Sequence, residues 1–166
     1  MPDAGPLITL AYADALDLLL KPGWPVRMVD MVLHEVTRST TPASRKIERW
    51  VSLHKLTVAA TRTFQHYCCA LAEGKNNPRK ANLGEWAIQE NMHELALAEP
   101  DTTGVFLFED HKIARASFML PDNCRKVSTR AWLQFLEQKR WIDSAAEVER
   151  AAITNGRSFS RLRFPP

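Results

Sequence analysis

Gly104-Val105-Phe106-Leu107-Phe108-Glu109-Asp110 decides the fold class. The run from Gly104 to Phe108 lacks any polar side chain, as expected for a strand buried on both faces of a parallel sheet. Two carboxylates follow it at once. In open α/β sheets the ligand crevice forms at the carboxyl ends of the strands, so acids in this position are candidates for a site.

Outward from this strand the pattern alternates. Val26-Arg27-Met28-Val29 is a second short strand, after which Asp30 is placed to cap a helix through Val32, Leu33 and Val36. Apolar residues from Leu7 to Leu20 form a helical stripe that begins just after Asp3 and stops at Lys21-Pro22-Gly23. Thr41-Pro42 pairs a cap residue with a proline at the first helical position, and Ile47, Trp50, Val51 and Leu56 mark the buried face of that helix. Leu56 to Ala60 reads either as the end of this helix or as a short strand. Thr63 to Glu73 is another helix, closed by Gly74 and the polar Lys75-Asn76-Asn77-Pro78 loop.

Asn82-Leu83-Gly84-Glu85 has the spacing of a capping box and opens a helix that ends before Pro100. Ile113 to Leu120 predicts a helix and Cys124 to Val127 a weaker strand. Ser128 or Thr129 then caps a helix carrying Trp132, Leu133, Phe135 and Leu136, and Asp143 or Ser144 caps the last one. Helices interleaved with three or four short strands predict a single α/β domain over residues 1–166, with a small parallel sheet flanked by helices.

The chain, 166 residues, suits one domain. No apolar run approaches the ~18 residues of a membrane span, and Met1-Pro2-Asp3 does not resemble a secretory leader, so a cytoplasmic location is expected. Cys68, Cys69 and Cys124 lack CxxC spacing, which favours buried or half-buried thiols over a disulfide framework or zinc site. The net charge is only +3, yet Arg125, Lys126, Lys139 and Arg140 cluster in sequence, and Arg157, Arg161 and Arg163 crowd a basic tail at about 155–166. Basic groups around an acidic centre suit a polyanion such as RNA; they read equally as solvated faces and a loose tail. The Trp residues fall mostly on apolar helix faces, which favours core packing over base stacking.

The candidate site residues are Asp3, Glu35, Glu85, Glu109 and Asp110, each at or near the end of a strand or the start of a helix. Acids without competing bases favour hard divalent cations. Each also has a structural reading: Asp3 as a helix cap, Glu35 as an exposed helical glutamate, Glu85 as a capping-box partner of Asn82, and one of Glu109 and Asp110 as a cap. Glu90 and Glu94 lie one and two turns beyond Glu85 and are weaker candidates. His34, His93 and His111 form no HExxH or other ligand spacing, and GxSxG, Walker and GxGxxG patterns are missing, which disfavours serine hydrolases, nucleotide hydrolases and dinucleotide enzymes.

Four segments in order carry a family resemblance. Asp3 to Ala11 with Ala15 to Leu19 resembles the opening of PIN-like domains, where an aspartate ends the first strand and a Pro-Leu-Ile turn enters the first helix. Val32-Leu33-His34-Glu35-Val36, Asn82-Leu83-Gly84-Glu85-Trp86-Ala87-Ile88 and Phe108-Glu109-Asp110-His111-Lys112-Ile113-Ala114-Arg115 are similar to that family's later acidic segments. The resemblance implies a ribonuclease in which Asp3, Glu35, Glu85 and Asp110 are catalytic and, with Glu109, hold Mg²⁺ or Mn²⁺. Metal-activated water would then hydrolyse RNA phosphodiesters. It further implies a toxin of the VapC type, with an antitoxin protein as partner and possible homodimers, or else a degenerate module that binds RNA or protein without cleaving. Two departures stand out. Only Met1 and Pro2 precede Asp3, so the first strand is expected to be truncated or to start upstream, and Ala4-Gly5 replaces the Thr or Ser of many members.

Overall fold

The structure, a computed structural model, describes residues 1–74, 82–109 and 118–158. Four short strands and seven helices alternate along these residues, in the α/β order expected. β1 (Arg27–Val29) pairs in parallel with β2 (Thr57–Ala59), with Met28 opposite Val58. β3 (Gly104–Phe108) pairs in parallel with β4 (Cys124–Ser128), with Phe106 opposite Lys126.

The single small sheet expected is therefore two parallel pairs. Met1–Asp3 joins β3 through one parallel bridge, between Pro2 and Leu107. The Asp3 N–H donates to the Leu107 carbonyl and the Leu107 N–H to the Met1 carbonyl, both at 2.9 Å. This segment adds a bridge to β3 and none to β1 among the described residues, so the pairs remain separate sheets.

α1 (Ala4–Tyr12) starts directly after Asp3, which stays extended and makes no capping hydrogen bond. The helix stops earlier than the apolar stripe predicts, because Asp14 takes a left-handed backbone at φ 54°. Leu16–Leu19 continues only as a 3₁₀ turn, held to the next hairpin of helices by the Trp50 indole N–H donating to Asp17 at 2.8 Å. α2 (Asp30–Thr37) leaves β1 without a loop, as expected, but Asp30 is not its cap: Val29 holds that position without a capping bond, and Asp30 is the first helical residue, its carboxylate accepting from the Met31 N–H.

α3 (Pro42–Leu53) begins at the proline after Thr41, whose hydroxyl accepts from the Ser44 N–H. The ambiguous Leu56–Ala60 segment is a strand, β2. α4 (Arg62–Ala72) follows, then α5 (Leu83–Ala98), which ends before Pro100 as expected. Its capping box is not formed from the Asn82 side: Asn82 sits at φ 67°, outside the extended backbone that aims a cap side chain at the helix, and makes no capping bond. α6 (Thr129–Gln138) and α7 (Ala145–Thr154) are capped by Ser128 and Ser144.

The core lies where α1, α2, α5 and α6 meet the strands. Leu7, Leu10, Met28, Val32, Ile88, Met92, Phe106, Leu133 and Leu136 are shut from solvent there. Trp50 and Trp132 join it, whereas Trp24, Trp86 and Trp141 are exposed, against the expectation of core packing for most of them. Cys124 is buried but Cys68 and Cys69 are exposed on α4, because that helix turns only a narrow face inward. No helix among the described residues is long and apolar enough to cross a membrane. The helix expected from Ile113 begins outside the described residues.

Candidate acidic site

Four of the expected acids are drawn to one end of the fold by the direction of the strands. Asp3 ends the segment that bridges to β3, and Glu109 follows β3 directly. Glu35 sits in the second turn of α2, which leaves the carboxyl end of β1, and Glu85 lies in the first turn of α5. Parallel strands place such ends on a common edge.

Electrostatics record the convergence. The Asp3 carboxyl is pushed up from 3.8 to about 7, first by burial, against the pull of the Ala4 N–H; the charges of Glu35, Glu85 and Glu109 add to it. Burial also raises Glu35, with the Gly84 N–H and Arg38 opposing and Glu85 reinforcing the shift. Like charges held together in a partly dry site make protonation easier.

Two glycines allow this approach. A Cβ on Gly84 would stand 2.8 Å from Glu35 Oε2, and one on Gly5 would stand 3.0 Å from Glu109 Cβ and 3.1 Å from its Oε2. Gly5 thus has a steric role beside Glu109.

Glu109 is only 5% exposed, and its two oxygens differ. Oε2 accepts from Arg157 Nη2 at 2.9 Å, while Oε1 is buried without a hydrogen-bond partner among the described residues. Buried polar atoms are normally satisfied, so such an oxygen calls for a ligand or ion. Asp110, the alternative member of the pair, lies outside the described residues, as does His111.

The side chains do not stand as a finished coordination shell. Among the described residues, no three of His, Cys, Asp or Glu are grouped closely enough to hold one ion as placed. The set is nonetheless chemically suited to a hard cation: every donor is a carboxylate oxygen, one is orphaned, and burial, with the neighbouring carboxylates adding to it, lifts Asp3 to about 7.

The weaker acidic candidates serve the scaffold. Glu90 accepts from the Arg62 N–H at 2.6 Å and from the Thr63 N–H and hydroxyl at 3.1 and 2.9 Å. It thereby closes the start of α4 from a neighbouring helix. Burial pushes its pKa up, but these bonds outweigh that and hold it below the usual carboxylate value. Glu94 is exposed. His34 packs with Phe64 and Tyr67, ring centroids 5.4 Å away in each case, and His93 contacts the Gln89 carbonyl one turn back.

Arg157, Thr9, Gly5 and Gly84 belong to this site and were not selected from the sequence as parts of it. In sequence Arg157 belongs to a basic tail, and nothing local tells that its guanidinium turns inward. Arg125 and Lys126, expected to face a polyanion, donate to backbone carbonyls of Asp122, Cys124 and Phe118. A cavity of about 480 Å³ opens at the opposite, amino ends of the strands, between Trp24, Val26, Met92, Val105 and Trp132; Glu99 lines it, and none of the candidate site acids does. No family model, curated protein or solved structure matches the chain.

Proposed function

We propose that this chain is a PIN-like, metal-dependent endoribonuclease, a candidate toxin of a toxin-antitoxin pair. The observation that carries the reading is the meeting of Asp3, Glu35, Glu85 and Glu109 at the carboxyl edge of the strands, with Asp3 at about 7 and one Glu109 oxygen orphaned. Structural carboxylates normally find donors or cations. In this group Glu109 Oε1 lacks such a partner among the described residues and Asp3 holds its proton up to about 7.

Asp3, Glu35, Glu85 and Glu109 are the residues that would hold Mg²⁺ or Mn²⁺. Such an ion supplies Lewis acidity toward a phosphodiester and an activated water. Because the carboxylates are not grouped as a shell, an ion has to draw them together, and this is easiest for Glu35 and Glu85, whose side chains extend from helix turns. Asp3 has the more fixed role, its backbone being held to Leu107. At neutral pH its carboxyl still carries a proton much of the time, so ion binding competes with that proton and strengthens as pH rises.

A second reading, a PIN-like module that binds RNA or a protein partner without cleaving, is favoured by one observation. Arg157 already pairs with Glu109, which leaves less charge for an ion. Incubation of the purified protein with a mixed RNA pool separates the two. The nuclease reading expects cleavage with Mg²⁺ or Mn²⁺ that EDTA abolishes and that falls at least a hundredfold in an Asp3→Asn, Glu85→Gln double variant. RNA retention without cleavage by folded protein, under either metal, would select the second reading.

A further inference from the structure

The chain returns to the acidic site after α7. Gly156, at φ 103°, reverses the backbone, with its N–H donating to Ile153 and the Arg157 N–H to Ala152. A side chain here would strain that conformation. The Asn155 amide donates to the Tyr12 carbonyl at 2.7 Å and ties the turn to the end of α1. The Arg157 side chain, only 10% exposed, is thereby laid along α1.

Its guanidinium is anchored twice. Nε donates to Thr9 Oγ1 at 2.9 Å and Nη2 to Glu109 Oε2 at 2.9 Å. Thr9 is fully buried, so its hydroxyl is a fixed point. It lies six residues beyond Asp3, roughly 9 Å along α1 at the rise of an α-helix. Arg157 therefore reaches Glu109 from well down α1, while Asp3 stands at the helix start.

We infer that Arg157 is a positioning residue for the acidic site: by gripping Glu109 through Oε2 and bracing against Thr9, it presents the orphaned Oε1 to a divalent cation. The inference rests on the metal-binding reading above. A rigid fork suits this task, since its N–H groups hold Thr9 and Glu109 Oε2 at once in a fixed geometry, which the compact point charge of a lysine ammonium does not. Were Arg157 instead a stand-in counter-ion, its removal would free Glu109 and tighten cation binding. The two roles predict opposite signs.

The test is Mn²⁺ binding without RNA, followed by electron paramagnetic resonance of the free ion, in wild type, Arg157→Ala, Arg157→Lys, Thr9→Val, Glu109→Gln and the Arg157→Ala, Glu109→Gln double variant. Melting in EDTA checks that each is folded. Positioning predicts that Arg157→Ala weakens Mn²⁺ at least tenfold, that Arg157→Lys restores part of the loss, and that Thr9→Val, which keeps the charge and removes the brace, loses a few-fold. On the Glu109→Gln background, Arg157→Ala should change nothing further. Equal or tighter binding by folded Arg157→Ala, or by Thr9→Val where Arg157→Ala does not fold, overturns the inference and leaves the metal reading intact. No Mn²⁺ binding by wild type overturns both.

Discussion

Two sets of carboxylates occupy comparable places in the chain, just after strands or in the first turns of helices and a turn beyond, and meet opposite fates. Asp30, at the end of β1, is saturated: it accepts from the Met31 N–H and Thr61 N–H at 2.8 Å and from the Thr61 hydroxyl at 2.7 Å. Glu90 is saturated likewise by Arg62 and Thr63. Asp3 and Glu109 instead share a site with Glu35 and Glu85, and keep an elevated pKa and an orphaned oxygen respectively. Saturated acids fasten one element to another. Under-compensated ones store a demand for positive charge, at a cost to stability that only a ligand or a proton relieves.

Breaking the saturated set should cost the most. Asp30→Ala removes three charge-assisted bonds, two linking the start of α2 to the start of α4 and one local to α2, worth about 3 kcal/mol together at typical magnitudes. Urea unfolding should show the midpoint fall by that amount. A loss under 1 kcal/mol would mean that water replaces these bonds, and the distinction between the two sets would weaken.

Asp3→Asn should act in the opposite direction at high pH. In the folded chain Asp3 keeps its proton up to about 7, against 3.8 for the ordinary carboxyl. The folded state thus binds more protons between these values, so this contribution to stability is complete below about pH 4 and is lost as pH rises through about 7. The Met1 amine works the other way: burial lowers it from 8.0 to about 5, so its contribution is lost as pH falls from 8 toward 5. Comparing wild type with Asp3→Asn cancels the amine. The variant should melt higher at pH 8, by about 2–4 °C for each kcal/mol of relieved charge burial and repulsion, and the gap should close by pH 4. A pH-independent gap would remove Asp3 from the charged cluster.

Gly84→Ala is the smallest perturbation and the sharpest for the site. The new methyl would stand 2.8 Å from Glu35 Oε2, the far end of a flexible side chain, so Glu35 swings aside at the loss of its bond from the Gly84 N–H. Helix propensity favours alanine by about 1 kcal/mol, leaving stability nearly unchanged. Mn²⁺ affinity should nevertheless fall about tenfold. Unchanged affinity would show that Glu35 is dispensable to the cluster.

Strand Gly104–Phe108, the turn into α2 at Asp30, the Thr41, Ser128 and Ser144 caps, and the stop before Pro100 were legible because each depends on residues within a few positions of one another. Local bonding is a property of the segment. The capping box at Asn82 failed because its spacing was right while its backbone was left-handed. The first helix was read too long because the apolar stripe runs on past Asp14, where the backbone turns.

Among the acids, the sequence alone could nominate Asp3, Glu35, Glu85 and Glu109, since strand ends and helix starts are encoded locally. It could not separate them from Asp30 and Glu90, because what divides the two sets is the presence of Thr61 or Arg62 and Thr63 brought in from another element. Nor could it find Arg157, which reaches Glu109 across 48 positions of sequence. Hydrogen bonding and charge depend on distance in space, and only the packing of α7 on α1 sets that distance.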